Sequence, residues 1–176
     1  YARLNGLFQG ITADLFEPAG IMTRAMFVTV LGRMAGVDVT AYIGQSAYSD
    51  VSKFAYYAPY VAWATKHGIA VGVGNGRFDP NGAVTREEMA VFFDRYFEIF
   101  GVKLNNTGAK SNAGPEDLDK VSSWARESVL RFWQKGLLIG DGRSFDPKAN
   151  ATRAQVAELA MRMDKTVQVW YKEPGV

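Results

Sequence analysis

The chain has 176 residues, 48% of them apolar, and 20 Lys and Arg stand against 18 Asp and Glu for a formal charge of +2. That is enough apolar surface for a core and too even a charge for the basic stripe that nucleic acid selects. Cysteine is absent and histidine occurs once, which removes disulfides, thiol nucleophiles and Cys-based zinc sites and leaves little for imidazole chemistry; no apolar run approaches the ~20 residues that cross a bilayer, so membrane insertion is not expected.

Three units follow one another, each with the same ordered phrase. The first, over 1–36, reads Gly6-Leu7, Gly10, Phe16-Glu17-Pro18 and Thr23-Arg24-Ala25-Met26. It opens at Tyr1 inside its expected first helix, so further residues are expected upstream. Met26 stands where a capping partner belongs, which leaves this helix start only its threonine cap, typically worth about 1 kcal/mol. A Gly- and Ser-rich stretch over 36–49 reads as a loop.

The second unit, over 47–101, places Tyr57, Tyr60, Val61 and Ala64 at helical spacing and stops that helix at Gly68. A turn-rich connector with Gly72, Gly74 and Gly76 leads through a short extended piece to Phe78-Asp79-Pro80. Thr85 and Glu88 then form a capping box. Behind it Met89, Phe92, Phe93, Tyr96, Phe97 and Phe100 line an apolar face that ends at Gly101. After a second loop over 101–116, the third unit, over 115–165, repeats the plan. Trp124, Ala125, Val129, Phe132 and Trp133 form the first stripe, and Gly136 stops it. Gly140 and Phe145-Asp146-Pro147 follow with one residue fewer between them, then a Thr152–Gln155 box and a face of Val156, Leu159, Ala160 and Met163. Residues 166–176 form a tail. A helix-turn-helix this short cannot hide both faces, so the fold class is mainly α, with three helix-loop-helix repeats sharing one core.

Packing does not explain the arginine after each threonine, Arg24, Arg86 and Arg153. A cation in the first turn of a helix opposes the helix dipole by about 0.3–1 kcal/mol. An anion bound at the helix mouth would compensate, meeting backbone N–H groups and a guanidinium fork together. The alternative is an ion pair to an acid of the same or the neighbouring unit.

Catalysis has few candidates. Glu87, Glu88, Asp79 and Asp146 are the available carboxylates, but Glu88 belongs to a helix cap and each Asp before Pro to a turn. An oxygen-rich stretch from Asn75 fails as a calcium loop, because Arg86 occupies the twelfth position where a bidentate Glu is required. Neither a metal nor a cofactor is expected. His67 reads as a residue favoured at a helix C-terminus. A binding module is the expected class, with a protein-interaction or self-assembly module as the alternative.

Taken together, the early Tyr48-Ser49-Asp50-Val51 turn with its counterpart at Asp117, the aromatics Tyr56 and Trp124, the Gly-Ile or Gly-Leu stops, the Phe-x-Pro turns and the Thr-Arg starts resemble the S-layer homology family. The resemblance implies a pseudo-threefold bundle with a central three-helix core and grooves between neighbouring units. It also implies a secreted module that holds a surface protein on a bacterial wall by binding an acidic, often pyruvylated, secondary cell-wall polysaccharide, fused to a surface-layer or enzymatic domain outside this chain. By the same resemblance Arg24, Arg86 and Arg153 contact the anion and Gly10, Gly72 and Gly140 line the grooves, with Asp50, Asp117, Tyr56 and Trp124 as contributors. The late start of the first unit and the variation Met26, Glu88, Gln155 at one position imply that the three sites are not equivalent.

Overall fold

The computed structural model describes residues 6–8, 16–101 and 113–166, with side chains as far as Arg162. Five α-helices carry the fold: α1 (Arg24–Met34), α2 (Ala58–Lys66), α3 (Arg86–Ile99), α4 (Arg126–Gln134) and α5 (Arg153–Thr166). Among the described residues there is no strand, only isolated bridges.

The helix starts follow from the cap residues. Thr85 accepts from the Glu88 N–H while the Glu88 carboxylate accepts from the Thr85 N–H, so the box read from the sequence forms. Thr152 and Gln155 make the same exchange at 3.3 and 3.1 Å, and Thr23 caps α1 alone through the Met26 N–H. The helix stops are equally local. After α2 the Ile69 N–H reaches the Ala64 carbonyl and the Gly68 N–H reaches Thr65; after α4 the Leu137 N–H reaches Phe132 and the Gly136 N–H reaches Trp133. This is the paired 6→1 and 5→2 closure that a left-handed residue past the last turn permits.

The units close on one another in a ring. The residue before each threonine cap, Met22, Val84 and Ala151, is buried. Their backbones bond head to tail: Val84 N–H to Met22 O at 2.9 Å, Met22 N–H to Ala151 O at 2.9 Å and Ala151 N–H to Val84 O at 2.8 Å. Helices are shared across units as well. Phe27 of α1 packs on Phe92 and Phe93 of α3, and Phe97 of α3 stacks on Phe132 of α4 with ring centroids 5.6 Å apart. α1 lies against α2, where Gly32 admits the rings of Tyr60 and Trp63. The second helix of one unit therefore packs on the first helix of the next, and a single core runs through all three.

Two expectations change. Trp124 does not join the buried stripe of the third unit. It sits in a single 3₁₀ turn, Ser123–Ala125, ahead of α4 and is 58% exposed, whereas Ala125, Val129, Phe132 and Trp133 are buried as expected. The 36–49 loop contains a 3₁₀ turn, Val39–Tyr42, capped by Asp38 and anchored by buried Tyr42. Met163 lies outside the described side chains.

Candidate functional site

The three arginines occupy equivalent places, each reaching from its own helix start into the Phe-x-Pro turn of the next unit. Arg24 Nε donates to the Phe78 carbonyl at 2.9 Å, Arg86 Nε to Phe145 at 2.7 Å and Arg153 Nε to Phe16 at 2.8 Å. Each guanidinium also lies over the ring of that phenylalanine, about 5 Å from its centroid, where the ring face attracts a cation. The Glu17, Asp79 and Asp146 residues that follow hold φ between 50° and 58°, a left-handed conformation uncommon outside glycine and repeated in all three turns.

The helix mouths themselves are filled, which corrects the expectation of free N–H groups there. Arg24 N–H donates to Gly82 O and Ala25 N–H to Pro80 O; Arg86 and Glu87 donate to Ala149 and Pro147; Arg153 and Ala154 donate to Gly20 and Pro18. Carbonyls of the neighbouring turn thus take the place that an anion would occupy at an open helix start. Any anion must meet the guanidinium side chain instead.

At that level the arginines differ. Arg24 has a protein partner at every nitrogen: beyond Nε, Nη1 pairs with Glu88 Oε1 at 3.1 Å and Nη2 donates to the Val71 carbonyl at 2.7 Å. This is the intramolecular ion pair that the sequence left open as the alternative. Arg86 has no carboxylate within ion-pair distance among the described residues, and its buried Nη2 has no hydrogen-bond partner. Burial pushes its guanidinium below the usual arginine range, and the charges of Asp146 and Asp117 push it back up. Arg153 is likewise buried and lowered by desolvation, with Glu17 and Tyr56 opposing the shift.

A cleft of about 600 Å³ opens beside Arg86, lined also by Lys120, Ile139, Gly140, Ser144, Gln155 and Arg162. Several of the acids around it are already engaged. Asp117 accepts from the Phe145 and Asp146 N–H groups at 2.8 Å each. Asp141 accepts from the Arg143 and Ser144 N–H groups, and Glu158 pairs with Arg162 at 2.6 Å. Asp146 lines the cleft too. The cleft thus presents Arg86 and Lys120 as cations without an ion-pair partner among the described residues.

The remaining candidates fall in different places. Asp50 holds the second unit's turn as Asp117 holds the third, accepting from Phe78 and Asp79 N–H at 2.8 Å each. Gly140 lines the cleft at φ 53°, and a Cβ there would land on the Ser144 carbonyl. A side chain at Gly72 would strike the Arg77 carbonyl and the Tyr48 ring, both 2.5 Å away. Tyr56, 60% exposed, and Trp124 lie outside the Arg86 cleft. Gly10 lies outside the described residues. Lys120 and Arg162 belong to no motif of the sequence, whereas Gln155 enters it as a cap partner and through the variation Met26, Glu88, Gln155 at one position.

Comparison with known proteins bears on the whole arrangement. Residues 47–90 and 116–157 match the S-layer homology domain. The chain is 35% identical over 156 residues to an amylopullulanase of Thermoanaerobacterium thermosulfurigenes, covering 87% of this chain and 8% of that protein. It is 28% identical over 165 residues to the S-layer protein sap of Bacillus anthracis, covering 94% of this chain and 19% of that one. With an exoglucanase XynX of Acetivibrio thermocellus it shares 33% identity over 155 residues, 87% of this chain and 14% of the enzyme. The chain thus spans less than a fifth of each of these relatives.

Proposed function

Because the chain belongs to the S-layer homology family, we propose that it anchors a surface protein to the bacterial cell wall by holding an acidic, pyruvylated secondary cell-wall polysaccharide in the cleft beside Arg86. The observation that carries this is the Arg86 guanidinium itself: buried, without an ion-pair partner among the described residues, and lining a cleft large enough for sugar rings. A buried cation whose nearest opposite charges, Asp117 and Asp146, stand beyond ion-pair distance is costly, and a carboxylate arriving on the ligand supplies a direct, charge-assisted partner. Lys120 adds attraction, and Gly140 keeps the backbone low where a sugar would lie.

Anchoring without catalysis fits the relatives. Two of them are named as enzymes, yet this chain corresponds to only 8% and 14% of their length, so the shared part reads as the carrier of an attached domain. No helix among the described residues is long and apolar enough to cross a membrane. The cell-surface place proposed here is reached through the wall polymer. A protein-interaction reading is favoured by exposed apolar side chains, above all Phe54 at 86% and Tyr56 at 60% on one segment.

The test is binding to purified wall sacculi before and after the acidic polymer is stripped. Intact walls should retain the protein and stripped walls should not. Arg86→Lys, which keeps the charge and loses the fork, should weaken retention at least tenfold while far-UV circular dichroism stays unchanged. Equal binding to both wall preparations would favour the protein-interaction reading instead.

A further inference from the structure

We infer that the fourth residue of the cap motif decides which inter-unit groove takes the acidic ligand: Glu88 closes the groove of Arg24, and Gln155 leaves the groove of Arg86 open. The inference rests on the reading of Arg86 as an anion contact.

In the second unit, the two oxygens of Glu88 have separate tasks. Oε2 completes the helix cap, accepting from Thr85 N–H at 2.8 Å and from the Thr85 hydroxyl at 3.0 Å. Oε1 is left over and pairs with Arg24 Nη1 at 3.1 Å. With Phe78 O on Nε and Val71 O on Nη2, every nitrogen of Arg24 has an acceptor from the protein. An acidic ligand approaching this groove would have to displace a carboxylate that is held in place by the helix cap and repels it.

The third unit keeps the cap and removes both acceptors. Gln155 Oε1 accepts from Thr152 N–H at 3.1 Å, so the other terminal atom of this side chain is an amide nitrogen, which can only donate. It cannot neutralise Arg86, and it lines the same cleft. The second change comes from loop length. The carbonyl equivalent to Val71 O belongs to Ile139, and with one residue fewer before Phe145 the loop tightens so that Ile139 O accepts from Gly142 N–H at 2.7 Å. Arg86 keeps one protein hydrogen bond, to Phe145 O. The amide-for-carboxylate exchange removes the counter-charge and the one-residue deletion engages the carbonyl elsewhere, so Arg86 lines the cleft with neither of the two acceptors that Arg24 has.

Reciprocal isosteric swaps test this, because either residue type completes a capping box. The probe is a methyl glycoside carrying a 4,6-pyruvate ketal, with the methyl ester of the same ketal as its neutral counterpart, titrated calorimetrically into the 176-residue chain. Gln155→Glu should weaken binding of the acid at least tenfold and remove one bound ligand per chain, with melting temperature unchanged or raised. Glu88→Gln should add one ligand per chain, and Arg24→Lys in that background should remove it again. The double swap Glu88→Gln/Gln155→Glu should leave the count unchanged while transferring its dependence from Arg86 to Arg24. Wild-type affinity in Gln155→Glu, or no added ligand in Glu88→Gln, would overturn the inference while leaving the Arg86 reading intact. A wild-type chain that binds acid and ester alike would sink the Arg86 reading and the gate with it.

Discussion

Replacing Asp117 by alanine should cost the module about 3 kcal/mol, since two backbone N–H groups lose their acceptor at once and each orphaned buried donor costs about 1–3 kcal/mol. Asp117 is 8% exposed and its carboxylate receives both N–H groups at 2.8 Å, one of them from Phe145, whose ring is fully buried. The turn it fixes carries the carbonyl that holds Arg86 Nε, so loss of ligand binding should accompany loss of stability. Urea denaturation read by tryptophan fluorescence measures the first. Asp50→Ala should cost less, because that side chain is 20% exposed and water can replace it.

Asp50 also gives the module an acid dependence. Burial pushes its carboxyl up, but N–H groups of Phe78, Asp79 and Asp50 itself, with Arg77, more than offset this and hold it below the ordinary carboxylate value. A carboxyl lowered by folding contributes stability that is present above its unfolded value and is lost as pH falls through the folded one. Stability of the wild type should therefore decline below about pH 4, and Asp50→Asn should flatten that decline. An unchanged acid profile would mean the turn does not depend on the charge.

What could be read from the residues divides by distance along the chain. Caps, helix stops and the apolar faces of α2, α3 and α4 were legible because their partners lie within one or two turns. The helix mouths were misjudged because their acceptors come from the next unit: Arg24 N–H finds Gly82, and Arg153 N–H finds Gly20. No local rule reports that. Trp124 was misplaced because its spacing fits a helical stripe, while the chain there makes a 3₁₀ turn that rotates it to solvent. The early acids are legible as turn residues, but Asp50 and Asp117 each stand 28 residues before the phenylalanine whose N–H they accept, a partner too distant for a turn signal to report. Inequivalence of the grooves was visible as Met26, Glu88 and Gln155, but its direction needed the geometry. The cap uses one oxygen of Glu88 and leaves the other facing an arginine 64 residues away in the chain.

Val84→Pro should be the most damaging change outside the cleft, lowering stability by more than about 3 kcal/mol. Val84 N–H is the donor to Met22 O in the ring that joins the three units, and proline removes that donor while leaving a buried carbonyl without its partner. Val84→Ala keeps the ring and should cost only the transfer and cavity terms, about 2 kcal/mol. The pair separates the backbone contribution from the side chain. In an open repeat array each unit contacts only its neighbours along the chain, and the ends unfold first. Here the third unit returns to the first through Met22 N–H on Ala151 O and Arg153 N–H on Gly20 O. Neither end is free to peel away without breaking the ring. Wild-type unfolding should accordingly be a single step, with far-UV dichroism and tryptophan fluorescence changing together, since Trp63 and Trp133 report on different units. Two resolved transitions in the wild type, or a Val84→Pro variant no weaker than Val84→Ala, would show that the units stand independently and that the grooves between them are not held by the ring.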